Sequence, residues 1–231
     1  MADKQISTWT WFQVPTSKTL DISIFKPLLA NESDYFETYY GRVIESPEQH
    51  VLVIPWRSRA AYDAFTKSSQ YEEMMNNLTA LSSSKPQTQA INFGKIAYYW
   101  HLVPYMEIKT VYFPSSVSTQ TREQVSGIKG LVLSMPSFGR QFAHLSPHRG
   151  LPCSGWIDDP RIWEGQDTLA CIWCHYWKDK ETEHDFKTKE RRPPKNGETY
   201  RPLALEKFEQ DLKDLGAIGW KEIHIDFERL H

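Results

Sequence analysis

The sequence predicts an α+β fold made of two tandem copies of one strand–helix–strand–strand–helix–strand unit. Three observations predict it. One stretch occurs twice, at residues 50–65 and 168–186: an apolar run ends in a tryptophan (Trp56, Trp177), and a basic residue, a Ser or Asp and a second basic residue follow. A phenylalanine, Phe65 or Phe186, stands nine positions after each tryptophan. The two tryptophans lie 121 positions apart, about half of the 231-residue chain. Finally, Gly41-Arg-Val-Ile-Glu is echoed by Gly155-Trp-Ile-Asp-Asp.

The elements follow in order. Residues 1–6 read as a frayed tail. Residues 7–14 alternate and are rich in Trp and Thr, which predicts a strand ended by Pro15. Residues 21–31 carry a weak helical spacing interrupted by Pro27. Residues 35–45 form the second strand and 46–49 a turn. The apolar run 50–56 is a buried strand, and Ser58 caps a helix to about residue 80 by accepting an orphan first-turn N–H. Residues 91–103 close the first copy. The second copy runs through a strand at 107–113, a helix at 118–135, and strands at about 155–159 and 168–177. A helix capped by Asp179 follows, broken at Pro193-Pro194 and resumed at 203–215 up to Gly216. A last strand covers 220–230. This is the ferredoxin-like βαββαβ order, twice, as a repeat at 7–104 and a repeat at 107–230. The second carries an insertion at 136–163 whose aromatic content suits a lid or pocket wall.

Composition narrows the function classes. Net charge is −2 and the pI about 6.5, so no basic field draws in nucleic acid. The basic cluster 187–195 contains Pro193-Pro194 and reads as a solvated loop. Three cysteines make no disulfide framework in so long a chain. The N-terminus lacks a signal-peptide apolar region, and no apolar run reaches the ~18 residues of a membrane span. A cytoplasmic setting is the expectation. Nine tryptophans and 13% aromatics point to a heavy core or an aromatic-lined pocket. No GxGxxG, P-loop, GxSxG or HExxH motif is present, which removes the common nucleotide enzymes, serine hydrolases and zinc proteases.

The duplicated strand–Trp–[Lys/Arg]–[Ser/Asp]–helix pattern resembles the dimeric α/β-barrel superfamily, which includes antibiotic-biosynthesis monooxygenase-like and stress-responsive barrel domains. Small relatives pair two ferredoxin-like chains whose sheets close into one barrel. This chain is similar to a fused version supplying both halves, and the resemblance implies one pseudo-symmetric α/β barrel with antiparallel sheets. The superfamily hosts cofactor-free oxygenases, haem enzymes, isomerases, cyclases, dehydratases and proteins without activity, so the likeness bears on fold more than on function.

Cys171-Ile-Trp-Cys174-His175 has the spacing of a covalent haem attachment, but inside a strand positions 171 and 174 point to opposite faces, which also disfavours a zinc site. The histidines are better candidates. Leu169, Cys171, Trp173, His175 and Trp177 share one strand face. In the last strand Ile223, Ile225 and Phe227 form an apolar face, expected to meet the helices, and Glu222, His224, Asp226 and Glu228 form the other. A barrel would bring His175 near His224 and Asp226, a histidine oriented by a carboxylate. The alternative is a hydrogen-bonded core His175 and a solvated His224. His101 and the insertion's His144 are further candidates, and Trp9, Trp11, Tyr99, Trp173 and Trp177 are candidate walls of an aromatic pocket. Core packing is the plain reading of the tryptophans.

The expected function is a small-molecule enzyme, a cofactor-independent cyclase, isomerase or dehydratase acting on a hydrophobic, polyketide-like or polycyclic substrate. His175 or His224 would be the base, Asp226 the orienting group and His101 the reserve, with no cofactor and no metal. The alternatives are a cofactor-free or haem-dependent oxygenase, and a non-catalytic barrel that binds a ligand or partner. A homodimer is compatible with the resemblance.

Overall fold

The computed structural model describes residues 5–31, 33–93, 104–131, 147–188 and 204–230. Nine strands occur among them: β1 Ile6–Gln13, β2 Tyr39–Val43, β3 Gln49–Trp56, β4 Gln87–Asn92, β5 Met106–Pro114, β6 Cys153–Ile157, β7 Arg161–Trp163, β8 Gln166–Tyr176 and β9 Gly219–Arg229. The helices are α1 Arg59–Phe65, α2 Ser69–Leu81, α3 Thr119–Gly127, α4 Lys180–Thr188 and α5 Ala204–Asp214, with a 3-10 segment at Ile22–Asn31. The α+β class and the antiparallel ferredoxin-like order stand as predicted. The hydrogen-bonded strand order is β5-β9-β2-β3-β1-β4-β6-β8-β7, with β5 also paired to β8. The chain forms two compact units: Met1–Pro104 with Gly155–Asp159 and Ile223–His231, and Tyr105–Ser154 with Pro160–Glu222.

In the first unit β1 is central, antiparallel to β3 and β4, and β3 passes the pairing to β2 and then to the end of β9. One face of this sheet packs on the helices. Phe12, Tyr40, Leu52, Ile54 and Trp56 meet Phe65, Met74 and Leu78 in a continuous core. The other face carries Trp9, Tyr39, Val51, Val53, Ile91, Ile225 and Phe227, all nearly without exposure. This corrects the reading of the last strand: Ile225 and Phe227 lie on the face of Trp9, away from the helices. The reason is Gly41, directly opposite Phe227 in the ladder. A Cβ there would clash with Ile225 and lie 2.7 Å from Phe227, so the missing side chain admits both. Asp226 and Glu228 therefore share the helix-side face with Arg42 and Tyr40, their ladder partners.

The predicted helix from Ser58 splits in two. Ser58 caps α1 through the Ala61 N–H (3.0 Å), and Ser68 recaps the chain through the Tyr71 N–H (3.2 Å). The helix predicted at 118–135 ends at Gly127, where Ile128 takes an extended conformation; 132–135 lie outside the described residues. In the second unit β5 pairs with β8 along its whole length, and β8 turns back to β7, a strand the sequence reading did not foresee. Glu164 and Gly165, both with positive φ, make that turn. Trp173, His175 and Trp177 do share a face, and helices cover it: Trp173 and His175 meet Phe208 of α5, and Trp177 meets Phe186 of α4. Cys171 and Cys174 are both buried in β8, and the Cys153 sulfur lies 2.9 Å from the Tyr176 hydroxyl. The solvated-loop reading of 187–195 fails at its first residue, because Lys187 lies in the last turn of α4 and is held by buried carboxylates. Residues 189–195 lie outside the described ones.

Candidate functional site

The first unit holds a cleft of about 630 Å³ on the helix side of the sheet, where β2, β3 and β9 run together. Its floor follows from the register. His50 on β3 is opposite Arg42 on β2, and Arg42 is opposite Asp226 on β9. One ladder step along, Leu52, Tyr40 and Glu228 form a second row. Directly opposed side chains project to the same face about 5 Å apart, so His50, Arg42, Asp226, Tyr40 and Glu228 make a polar grid beside the buried Leu52. Val14, Pro15, Leu20 and Pro47 supply apolar walls.

Within the grid the Tyr40 hydroxyl and His50 Nδ1 are hydrogen-bonded, and the two rings stack at 11° with centroids 5.5 Å apart. Phe12 packs beside both rings, 5.7 Å from His50 and 6.5 Å from Tyr40. Burial pushes the Tyr40 phenol up to about 12, with Glu228 adding to the effect. Burial, helped by the Arg42 charge, pulls the His50 imidazole below its ordinary value. At neutral pH the couple is therefore a phenol and a neutral imidazole, able to pass a proton without either carrying lasting charge.

The second unit contains a buried charged network on the helix side of β5 and β8. Glu107, fully buried, accepts from Trp177 Nε1 at 2.7 Å, faces Lys187 Nζ at 3.2 Å and faces His175 Nδ1 at 3.5 Å. Burial alone would push its carboxyl up; His175, Lys187 and Trp177 outweigh that and hold it well below the usual carboxylate range. His175 Nε2 accepts the Leu131 N–H at 3.0 Å. Gly130, with φ +73°, makes room for the histidine: a Cβ there would stand 2.8 Å from Nε2. With one nitrogen on a backbone donor and the other facing Glu107, His175 does not fit the role of a haem ligand.

The sequence-predicted residues are thus dispersed. Asp226 lines the first-unit cleft. His175 is buried against Glu107, and His224 is clasped by Glu45, whose carboxylate takes both its backbone N–H (3.0 Å) and Nδ1. The carboxylates that meet these two histidines are therefore Glu107 and Glu45. Trp9 is buried against the edge of Phe227 and donates to Ser7 Oγ; Trp11 is half-buried beside it. Trp173 donates to the Ile128 carbonyl and Trp177 to Glu107, both as core residues. Tyr99, His101 and His144 lie outside the described residues. The reading missed Tyr40, Arg42, His50 and Glu107. The signal for His50 was its place at the head of the wholly apolar run 51–56, and Tyr40 and Arg42 alternate with Tyr39, Gly41 and Val43.

No family model matches the chain, and no curated protein matches it. Solved structures do. An anthrone oxidase-like protein matches 99% of this chain and 94% of its own, with TM-score 0.59 and 10% identity. The chain has the ferredoxin-like α/β-barrel fold. A putative monooxygenase from Lactobacillus acidophilus NCFM shares the fold over 98% of this chain and 94% of its own (TM-score 0.56, 9% identity). Another from Fusobacterium nucleatum covers 99% and 95% (TM-score 0.54, 11% identity). At such identities the likeness bears on the fold alone. Among the described residues no helix is long and apolar enough to cross a membrane.

Proposed function

We propose that the chain is a small-molecule enzyme that moves a proton at a carbon beside a carbonyl, in the cleft between β2, β3 and β9. One observation carries this reading: a neutral Tyr40–His50 couple and the Asp226 carboxylate line the same cleft of about 630 Å³. Such a volume suits a drug-sized organic molecule. Asp226 takes the proton from carbon. The Tyr40 hydroxyl donates to the oxygen on which negative charge develops, and His50 holds the phenol in place and shares its proton. The enolate so formed is common to isomerisation, aldol-type cyclisation and dehydration, the reaction classes expected from the sequence. His175 and His224 have no place in this scheme.

The test is deuterium incorporation from heavy water into a panel of enolisable cyclic ketones and β-keto esters, followed by mass spectrometry. Asp226→Asn should lower the exchange rate roughly 10²–10⁴-fold and Tyr40→Phe by a smaller factor. No exchange on any compound, or full exchange in Asp226→Asn, sinks the reading. A second reading, an oxygenase acting on a flat phenol, draws on the fold neighbours, an anthrone oxidase-like protein and two monooxygenase-like ones. Oxygen consumption with anthrone-like phenols, without deuterium exchange, would select it.

A further inference from the structure

We infer that the cleft takes a monoanionic substrate, a keto or hydroxy acid, whose acidic group is held by Arg42. This rests on the enolisation reading for the site and adds the substrate's charge. Arg42 stands at the centre of the grid, opposite His50 on one side and Asp226 on the other. Among the described residues its guanidinium makes no hydrogen bond and no ion pair, although Asp226 and Glu228 line the same cleft. The other cation of the lining, Lys18, is already committed: its Nζ donates to the Ala80 and Leu81 carbonyls at 3.1 and 3.2 Å. His50 is neutral and adds no charge. Arg42 is thus the unspent cation of the described lining, with a planar fork of donors that matches a carboxylate.

The cleft also holds two carboxylates, so the opposite choice, a cationic substrate, has to be weighed. A cation seated on Asp226 would stabilise its ionised form and weaken it as a base. An anion seated on Arg42 leaves Asp226 facing the carbon to be deprotonated. The same guanidinium then lies beside Tyr40, where the enolate charge appears. Arg42 and Tyr40 are two residues apart on β2 and project to the same face, which favours an acidic group on the carbon next to the reacting carbonyl, as in a β-keto acid, over a long-chain acid.

The experiment is binding, not turnover. Calorimetric titration of the full chain would compare 3-hydroxy-2-naphthoate, 2-naphthol and 2-naphthylmethylammonium, three probes with one ring system and different charge. The carboxylate should bind roughly 10–100-fold more tightly than the alcohol, the worth of a charge-assisted pair. Added salt should narrow the gap, because Arg42 is partly open to solvent. Arg42→Gln should erase the gap, Arg42→Lys should restore part of it, and Asp226→Asn should leave or tighten carboxylate binding. Unchanged melting curves show that the exposed Arg42 was replaced without loss of fold. Equal binding of alcohol and carboxylate, tightest binding of the ammonium compound, or wild-type carboxylate binding by Arg42→Gln each overturns the inference. Carboxylate binding through Arg42 without deuterium exchange on any ketone would leave this inference standing and remove the proposed reaction.

Discussion

At the scale of single residues, His148 shows how burial in this chain becomes a pH response. Its ring lies 4.3 Å from that of Trp177 and 5.4 Å from Phe186. Burial and the nearby His175 pull its imidazole down to about 4, against a smaller opposing pull from Glu107. The folded value lies below the unfolded value of about 6.5, so on acidification the unfolded chain takes up the proton first. Stability from this site is complete above pH 6.5, is lost as pH falls from 6.5 to 4, and loses nothing further below 4. The shift corresponds to about 3 kcal/mol over that window. Glu107 acts in a lower window. Its carboxyl is depressed, so its contribution is present above the unfolded carboxylate value near 4.5 and is lost as pH falls below it. Urea unfolding of the wild type at a series of pH values should show both losses. His148→Phe should flatten the part between 6.5 and 4.5 while keeping the loss below 4.5. An unchanged profile in the variant would show that His148 carries no such penalty.

At the scale of elements, the two copies repeat a contact set as well as a sequence. Trp56 makes an isolated bridge to Tyr35 and packs on Phe65 at 5.0 Å; Trp177 makes one to His148 and packs on Phe186 at 5.2 Å. Ser58 and Asp179 then cap α1 and α4 through the N–H three residues on. The paired glycines serve alike: a Cβ on Gly41 would collide with Ile225 and Phe227, and one on Gly155 with Phe93 and Ile91. Gly41→Ala should therefore cost about 1–3 kcal/mol by overpacking, read as a lower thermal midpoint, and a wild-type midpoint would mean that the β9 side chains give way freely. These features were legible because each is local: a cap, a Trp–Phe spacing, a glycine echo. The cleft was not. His50, Arg42 and Asp226 meet through a register linking residues 50, 42 and 226, which no spacing encodes. The faces of β9 were misassigned for a related reason: alternation separates two faces but does not say which one the helices cover. For His175 the sequence left a pocket base and a hydrogen-bonded core residue both open, because its carboxylate partner, Glu107, sits on a strand that only the β5–β8 ladder brings opposite it.

At the scale of the whole molecule, the compact units do not coincide with the halves of the sequence. The first unit takes Gly155–Asp159 and Ile223–His231 from the second half of the chain. Those pieces are ladder partners: Ile157 and Trp156 pair with Ile91 and Asn92, and residues 225–229 pair with all of β2. They also bring Asp226 and Glu228 to the cleft and Phe227 to the edge of Trp9. A fragment of residues 1–104 would lack both edge partners of its sheet, leave β2 and β4 with unpaired backbone groups, and expose Trp9, Tyr39 and Val43 from a face that is otherwise nearly inaccessible. The expected outcome is that the fragment collapses or aggregates when made alone, and that residues 105–231 made alone leave residues 155–159 and 223–231 unpaired. Mixed at equal concentration, the two fragments should regain a cooperative melt and dispersed amide resonances, because the ladders that join them are re-formed. The measurement is circular-dichroism melting and a two-dimensional amide spectrum of each fragment and of the mixture. A cooperative melt from residues 1–104 alone would show that the first repeat is self-sufficient and that the strands borrowed from the second half add function without being required for its fold.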